Sequence, residues 1–320
     1  MSRISWRRTV AAMALCASAA LLAACGSSST ESALTPERLI SFGDAFSDVG
    51  QANGVKYTVN DTATNHWLQQ LASRYGRTIT ASASGGQGYA RSNARIKEKP
   101  DAIGNADTPT LTEQIDAFLA GGGAFAGNDL VIINGGLADV LTEGKAFLAG
   151  TQTDADMVAH AQQAGRDLAE QARRLITAGA KQLVVVGTIN LGATPWGQNS
   201  GQVGALRNAS LRFNEAFLVA VNDLGANLLY VDAAYYFNLA AEEPGNFSMR
   251  NSRDVVCTSV DPGPGIGLGA GEVNSALCTP STVLAGVNYN EYMFADKLYT
   301  TPNLQRLFGD YAYDRIRNRW

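Results

Sequence analysis

Short apolar runs alternate along the chain with amphipathic stretches whose apolar positions recur every three to four residues. The apolar runs predict strands at Arg38–Gly43, Leu130–Asn134, Gln182–Gly187 and Asn227–Val231. The amphipathic stretches predict helices at Asn65–Tyr75, Leu111–Leu119, Asp154–Ala178 and Val203–Leu224, with a last helix from about Pro302 to Arg315. Strands that are apolar throughout and alternate with helices are typical of a parallel sheet covered on both faces. The pattern therefore predicts an α/β fold, a three-layer α/β/α sandwich around a mainly parallel sheet.

The first 24 residues have the pattern of a bacterial export signal. A basic start with Arg3, Arg7 and Arg8 precedes an uncharged apolar run that is too short to favour a spanning helix. This run ends at Cys25 in a sequence that resembles a lipobox, which implies a lipoprotein signal peptide over 1–24 and a lipid anchor on Cys25. Gly26 after it implies sorting to the outer membrane. The alternative is a plain secretory signal with a chance cysteine. We expect a flexible tether over 25–36 and a single domain over 37–320.

Composition narrows the class of protein. The chain is 46% apolar and 17% charged, which suits a globular protein with a sizeable core. Without Arg3, Arg7 and Arg8 it carries 22 basic against 29 acidic residues, a balance of −7. No basic stripe exists to neutralise phosphates, so we expect no nucleic-acid partner. An acidic surface also gives no electrostatic attraction to anionic lipid, so membrane contact is expected only through the Cys25 anchor.

Two cysteines remain after Cys16 and Cys25 are assigned to the export signal and the anchor. Cys257 and Cys278 form an even pair in a chain expected to reach an oxidising compartment, which predicts a disulfide. The segment between them is rich in Gly and Pro, so it is not expected to form a regular element. Two cysteines with no nearby histidine do not predict a metal site, and nothing in the sequence points to a cofactor.

Four blocks of the sequence resemble the GDSL family of SGNH hydrolases. Ser41–Gly50 resembles the family's Phe-Gly-Asp-Ser block, and Gly85–Arg95 resembles its Gly-Gly-Ala-Arg segment. Asp129–Asp139 resembles the strand leading into Gly-x-Asn-Asp, and Tyr292–Pro302 resembles Tyr-x-Phe-x-Asp-x-x-His-Pro-Thr-Pro. The resemblance spans the mature chain. It implies the SGNH-hydrolase fold, which is flavodoxin-like, and an ancestral activity as a serine ester hydrolase.

The residues that would carry that activity are replaced. In the family a serine attacks the ester, a histidine held by an aspartate takes the proton, and glycine and asparagine donors stabilise the oxyanion. The nucleophile position is Ala45, the histidine position is Tyr299 and the asparagine position is Ala138. The glycine position aligns with Asn93, or with Ser92 if the register slips by one. Asp296 of the catalytic set persists with no histidine to orient. The resemblance thus implies a catalytically inactive homologue, or pseudoenzyme.

The loops that form the family's cleft are present, so we expect a remaining cleft at the carboxyl ends of the strands. Its rim is predicted to contain Tyr89, Arg91, Asn93 and Tyr299. The expected occupant is a lipid, an acyl ester or a glycan, or else another envelope protein contacts the surface. A decayed paralogue without any ligand is one alternative.

A second alternative is an active carboxylic-ester hydrolase that uses a rebuilt site. Its candidate groups are Ser47, His66, His160 and Tyr299. An unperturbed phenol, however, has a pKa near ~10 and is a poor base at neutral pH.

Overall fold

The computed structural model describes residue 32 and residues 34–320, and Leu34–Trp320 form one compact unit. The predicted signal peptide and Cys25 lie outside the described residues. Among the residues described, no helix is both long and apolar enough to cross a membrane.

Four parallel strands form the central sheet in the order in which they occur along the chain. They are β1 (Leu39–Phe42), β2 (Leu130–Asn134), β3 (Gln182–Val186) and β4 (Leu228–Val231). Their registers pair Leu39 with Leu130, Leu130 with Gln182, and Leu183 with Leu228. All residues of β1 and β2 are buried, because helices cover both faces of the sheet. The four strand predictions are confirmed to within a residue at each end.

An irregular extended segment continues the sheet beyond β1. The backbone N–H of Ser41 donates to the carbonyl of Gln87 at 3.0 Å, and that of Tyr89 donates to the carbonyl of Ser41 at 2.7 Å. A Cβ atom on Gly86 would lie 2.2 Å from the carbonyl oxygen of Thr80, so only glycine allows this approach of the backbones. The Gly-rich block therefore serves as the outer edge of the sheet.

Eight α-helices occur within residues 34–320. They are α1 (Trp67–Arg74), α2 (Leu111–Ala120), α3 (Leu137–Leu148), α4 (Asp154–Thr177), α5 (Pro195–Asn199), α6 (Val203–Ala220), α7 (Ala233–Glu242) and α8 (Pro302–Arg317). The sequence predicts α1, α2, α4, α6 and α8 but misses α3, α5 and α7. Helix α7 carries apolar residues around most of its surface and therefore has little of the periodicity that distinguishes a half-buried helix.

The helices form two layers on either side of the sheet. On one side α1 packs against α8, and Phe46 joins them to α7 through ring contacts with Trp67, Phe237 and Phe308 at 5.4–5.7 Å. On the other side α4 packs along α6 and also contacts α2 and α3. Helix α4 begins at a capping box in which Thr153 and Asp156 exchange hydrogen bonds. The protein is thus a three-layer α/β/α sandwich with a parallel central sheet, as predicted.

A second, two-stranded sheet is separate from the central sheet. Strands β5 (Asn251–Val255) and β6 (Tyr292–Phe294) pair in parallel and flank the segment that contains Cys257 and Cys278. These cysteines form a disulfide, which confirms the prediction. The segment between them has short turns and a single 3₁₀ turn at Ser275–Leu277, as expected for a Gly- and Pro-rich stretch.

Candidate functional site

The turn after β1 keeps the geometry expected of a nucleophile turn, although alanine stands at its tip. Gly43 has φ +152°, and a Cβ there would lie 1.9 Å from Oδ1 of Asn134, so the position requires glycine. The carboxylate of Asp44 accepts from the backbone N–H of Phe46 at 2.9 Å and from the amide of Asn134. Burial raises the pKa of Asp44. Ala45 follows and is buried.

Asp48 joins the second family block, Gly85–Arg95, to this turn by hydrogen bonds. Oδ2 of Asp48 accepts from the backbone N–H of Ser92 at 2.9 Å and from its hydroxyl at 2.8 Å. The next residue, Asn93, has φ +65°, a left-handed conformation that asparagine tolerates better than most residues. Of the two registers left open by the sequence, Asn93 therefore occupies the backbone position that favours glycine.

The third block places Ala138 in the first turn of α3. Gly136, at φ +108°, allows the turn into the helix, because a Cβ there would lie 2.3 Å from the ring of Phe213. The neighbouring Asp139 accepts from the backbone N–H of Ile96 at 3.2 Å and from Arg95 Nε at 3.3 Å. Burial raises the pKa of Asp139 to about 6. This carboxylate joins the second block to the third.

Asp296 does have partners, although the sequence leaves it without a histidine to hold. Its Oδ1 accepts from the backbone N–H groups of Leu298 at 2.8 Å and Tyr299 at 2.7 Å. Its Oδ2 accepts from the backbone N–H of Ser275 at 3.0 Å. The carboxyl is fully buried, and this burial raises its pKa to about 6. Asp296 thus fixes the backbone around position 299 and ties it to the disulfide-closed segment.

Tyr299 fills the histidine position and packs against another tyrosine. Its ring centroid lies 4.8 Å from that of Tyr57. The hydroxyl of Tyr57 accepts from Nδ2 of Asn93 at 2.8 Å. Burial raises the pKa of Tyr57 to about 12 and that of Tyr299 well above its ordinary value. Both phenols are therefore neutral near pH 7, and neither is a base.

The segment between the two cysteines, which we call the covering segment (Cys257–Cys278), lies against this site. Ile266 within it is 1% exposed and belongs to the main hydrophobic core. A Cβ on Gly267 would lie 2.7 Å from the carbonyl oxygen of Ala102, whose N–H bonds to the carbonyl of Asn93. Glu272 forms an ion pair with Lys297 at 2.6 Å.

The five positions predicted from the family blocks are consequently buried. Their exposed fractions lie between 0 and 5% for Ala45, Asn93, Ala138, Asp296 and Tyr299. The sequence leads us to expect an open cleft at these positions. In the structure these positions are buried, and Tyr57 and Ser275 of the covering segment are among their neighbours. Sequence reasoning gave no signal for Tyr57 or Ile266, since neither belongs to a family block.

The two other predicted binding residues are Tyr89 and Arg91. The ring of Tyr89 stacks on Phe42 at 5.2 Å and contacts Phe118 edge-on at 5.4 Å, so it faces α2. There it lines a depression of about 540 Å³ with Arg38 and Gly121–Ala126. Arg91 is half-buried, and its backbone N–H donates to the carbonyl of Gly43 at 3.0 Å.

The groups that could rebuild a hydrolytic site are not assembled. Ser47 is fully buried and its hydroxyl has no partner. His66 is buried at the start of α1, and this burial lowers its pKa to about 3. His160 lies in α4, where its Nδ1 is 2.7 Å from Oε2 of Glu143. Neither histidine is hydrogen-bonded to a serine. Over the described residues, no group of three His, Cys, Asp or Glu side chains is placed to hold a metal ion.

Comparison with known proteins gives distant likenesses. No family model matches the chain. A protein of Pseudomonas putida, described as an uncharacterized protein in the trpE-trpG intergenic region, is 24% identical over 309 residues that cover 88% of this chain. The chain spans about half the length of that relative, or 49%.

Several solved structures of esterases align with most of the chain at low identity. A carbohydrate acetylesterase from Sinorhizobium meliloti is 13% identical, with a TM-score of 0.46 and coverage of 89% of this chain and all of that one. An aryl esterase from M. smegmatis is 12% identical, with a TM-score of 0.45 and coverage of 88% and 99%. A phospholipase A1 from Streptomyces albidoflavus is 16% identical, with a TM-score of 0.40 and coverage of 88% and 98%. Likenesses of this size assign no activity to this chain.

Proposed function

We propose that this chain is a catalytically silent protein of the SGNH-hydrolase fold. Ala45 offers no nucleophile, and Ala138 offers no side-chain donor to an oxyanion. The observation that carries the proposal is the burial of Tyr299, which stands where the family has its histidine. Tyr299 there is buried against Tyr57, whose hydroxyl is already bound to Asn93. The replacements therefore pack together as core residues.

The expected loss of turnover can be judged from measured losses in another serine hydrolase. Removing the nucleophile or the base alone lowers turnover by roughly 10⁶ in such an enzyme, and further losses add little. The residual roughly 10³–10⁴ over water comes from the oxyanion hole and substrate binding. In this chain the oxyanion positions Asn93 and Ala138 are altered and buried, so we expect turnover at background.

We further propose that the protein acts in the bacterial envelope, attached through a lipid on Cys25. The pattern of Arg3, Arg7 and Arg8 before an apolar run that ends at Cys25 supports this placement. A non-catalytic protein in that position would bind a ligand or another envelope protein. Because the ancestral centre is buried, such binding would use a surface outside it.

The alternative is a hydrolase with a rebuilt site that uses Ser47. The placement of Ser47 does not support it, because this residue is fully buried. A labelled acyl-phosphonate probe tests it directly, because such probes modify activated serines and leave inert ones untouched. We expect no labelling of folded protein, and the same result for a Ser47→Ala variant. Labelling of the native chain that disappears in Ser47→Ala would contradict the proposal.

A further inference from the structure

Two unpaired arginines line one pocket on the side of the molecule formed by α6, α7 and β5. In the described part of the chain, the side chains of all but four arginines form a hydrogen bond, an ion pair or a ring contact. The four exceptions are Arg91, Arg207, Arg253 and Arg315. Arg207 of α6 and Arg253 of β5 lie at the same pocket, whose volume is about 340 Å³.

The remaining polar groups of this pocket include several amides. Asn190 donates through Nδ2 to Oδ1 of Asn238 at 3.0 Å, while Oδ1 of Asn190 is buried and has no partner. Gln198 is held by the carbonyl of Gly192 at 2.8 Å. Amides offer both donors and acceptors, which is what ligand hydroxyl groups require.

The charge balance at this pocket favours an anion. The lining contains two guanidinium groups and one carboxylate, that of Glu242. A second, adjoining compartment of about 180 Å³ shares Asn190, Arg207 and Asn238. Of its carboxylates, Glu215 pairs with Arg212 at 2.6 Å, and Asp232 caps α7 by accepting from the backbone N–H of Tyr235 at 2.9 Å. Arg207 thus remains available between the two compartments.

We propose that this pocket binds a small hydroxylated organic anion, such as a uronic acid or a sugar phosphate. Arg207 and Arg253 would bind the anionic group, because guanidinium groups form paired charge-assisted hydrogen bonds with carboxylates and phosphates. The amides of Gln198 and Asn238 in the lining would bind hydroxyl groups. None of the lining residues belongs to the ancestral catalytic set, and the proposal does not depend on the protein being catalytically silent.

The test is a calorimetric titration of soluble protein beginning at Gly26 with glucuronate, glucose 6-phosphate and glucose. We expect saturable binding of at least one anion, about tenfold or more tighter than glucose, which weakens at high salt. The first two probes distinguish a carboxylate from a phosphate as the anionic group. Equal binding of glucose, or saturable binding of neither anion, would overturn the proposal.

Variants then locate the site. Arg207→Gln and Arg253→Gln should each weaken anion binding by about tenfold, since a charged hydrogen bond contributes about 1.5–3 kcal/mol. Arg315→Gln is the matched control, because it removes another unpaired arginine that is not in this pocket lining. All three variants should unfold at the same urea concentration as the native protein. If Arg315→Gln weakens binding as much as the other two, the pocket is not the site.

Discussion

The pH dependence of stability should show that Asp296 now acts as a structural carboxyl. In Asp296→Asn, the amide oxygen can still accept from Leu298 and Tyr299, but its NH₂ group faces the backbone N–H of Ser275. The variant also removes a titrating group whose pKa is about 6 in the folded protein and ordinarily 3.8. The substitution therefore changes one hydrogen bond and removes one group whose protonation is coupled to folding.

The sign of that linkage follows from the raised pKa. Between pH 3.8 and 6 the folded state binds more protons at Asp296 than the unfolded state, so its contribution to stability is lost as pH rises. The difference between a pKa of 3.8 and one of about 6 corresponds to about 3 kcal/mol of stability. About 2 kcal/mol of this loss falls between pH 4.5 and 7.5. The stability of the native protein relative to Asp296→Asn should decrease by that amount over this range.

Urea unfolding followed by tryptophan fluorescence at several pH values measures this difference, since Trp67 is fully buried in the domain. Asp314→Asn, at an exposed position of α8, is the matched control and should follow the native protein at every pH. The reasoning would be refuted if the difference in free energy of unfolding between the native protein and Asp296→Asn stayed the same from pH 4.5 to 7.5. It would mean that Asp296 has an ordinary pKa and is not buried as described.

Three further results are expected from the covering segment and the altered site. Ile266→Ala should reduce the free energy of unfolding by about 3 kcal/mol, while Leu277→Ala, 52% exposed in the same segment, should change it by less than about 0.5 kcal/mol; equal effects would contradict the packing. Replacing Cys257 and Cys278 together by serine should cost roughly 3 kcal/mol in urea unfolding, because the disulfide closes a loop with a separation of 21 residues, and no loss would contradict it. The variant Ala45→Ser, Asn93→Gly, Ala138→Asn, Tyr299→His should remain inactive on acyl esters, because all four positions are buried; turnover would show an accessible cleft.

The sequence predicts the central sheet well because its strands are apolar on both faces. Leu130–Asn134, for example, is buried at every position and is bounded by polar or glycine residues. The helices with one buried stripe are also predicted, as in Asp154–Thr177. Helix α3 is missed because its first turn lies within a family block, where the sequence is interpreted as a loop of the site.

The identity of the altered site residues can be predicted, but their burial cannot. Ala45, Ala138 and Tyr299 stand at positions defined by neighbouring glycines and aspartates, so the replacements are visible in the sequence alone. Their burial depends on Tyr57 and Ile266, which are distant in the chain and belong to irregular segments. A Gly- and Pro-rich stretch has no periodicity from which its packing could be inferred. The partners of Asp296 are backbone amides, which every sequence offers equally.

Hydrolysis of short-chain and long-chain acyl esters by soluble protein beginning at Gly26 tests the central claim most directly. We predict that the native protein and its Ser47→Ala variant both release product at the rate seen without protein. Turnover by the native protein that is absent in Ser47→Ala would contradict the account, because it would require an accessible and activated serine next to Ala45.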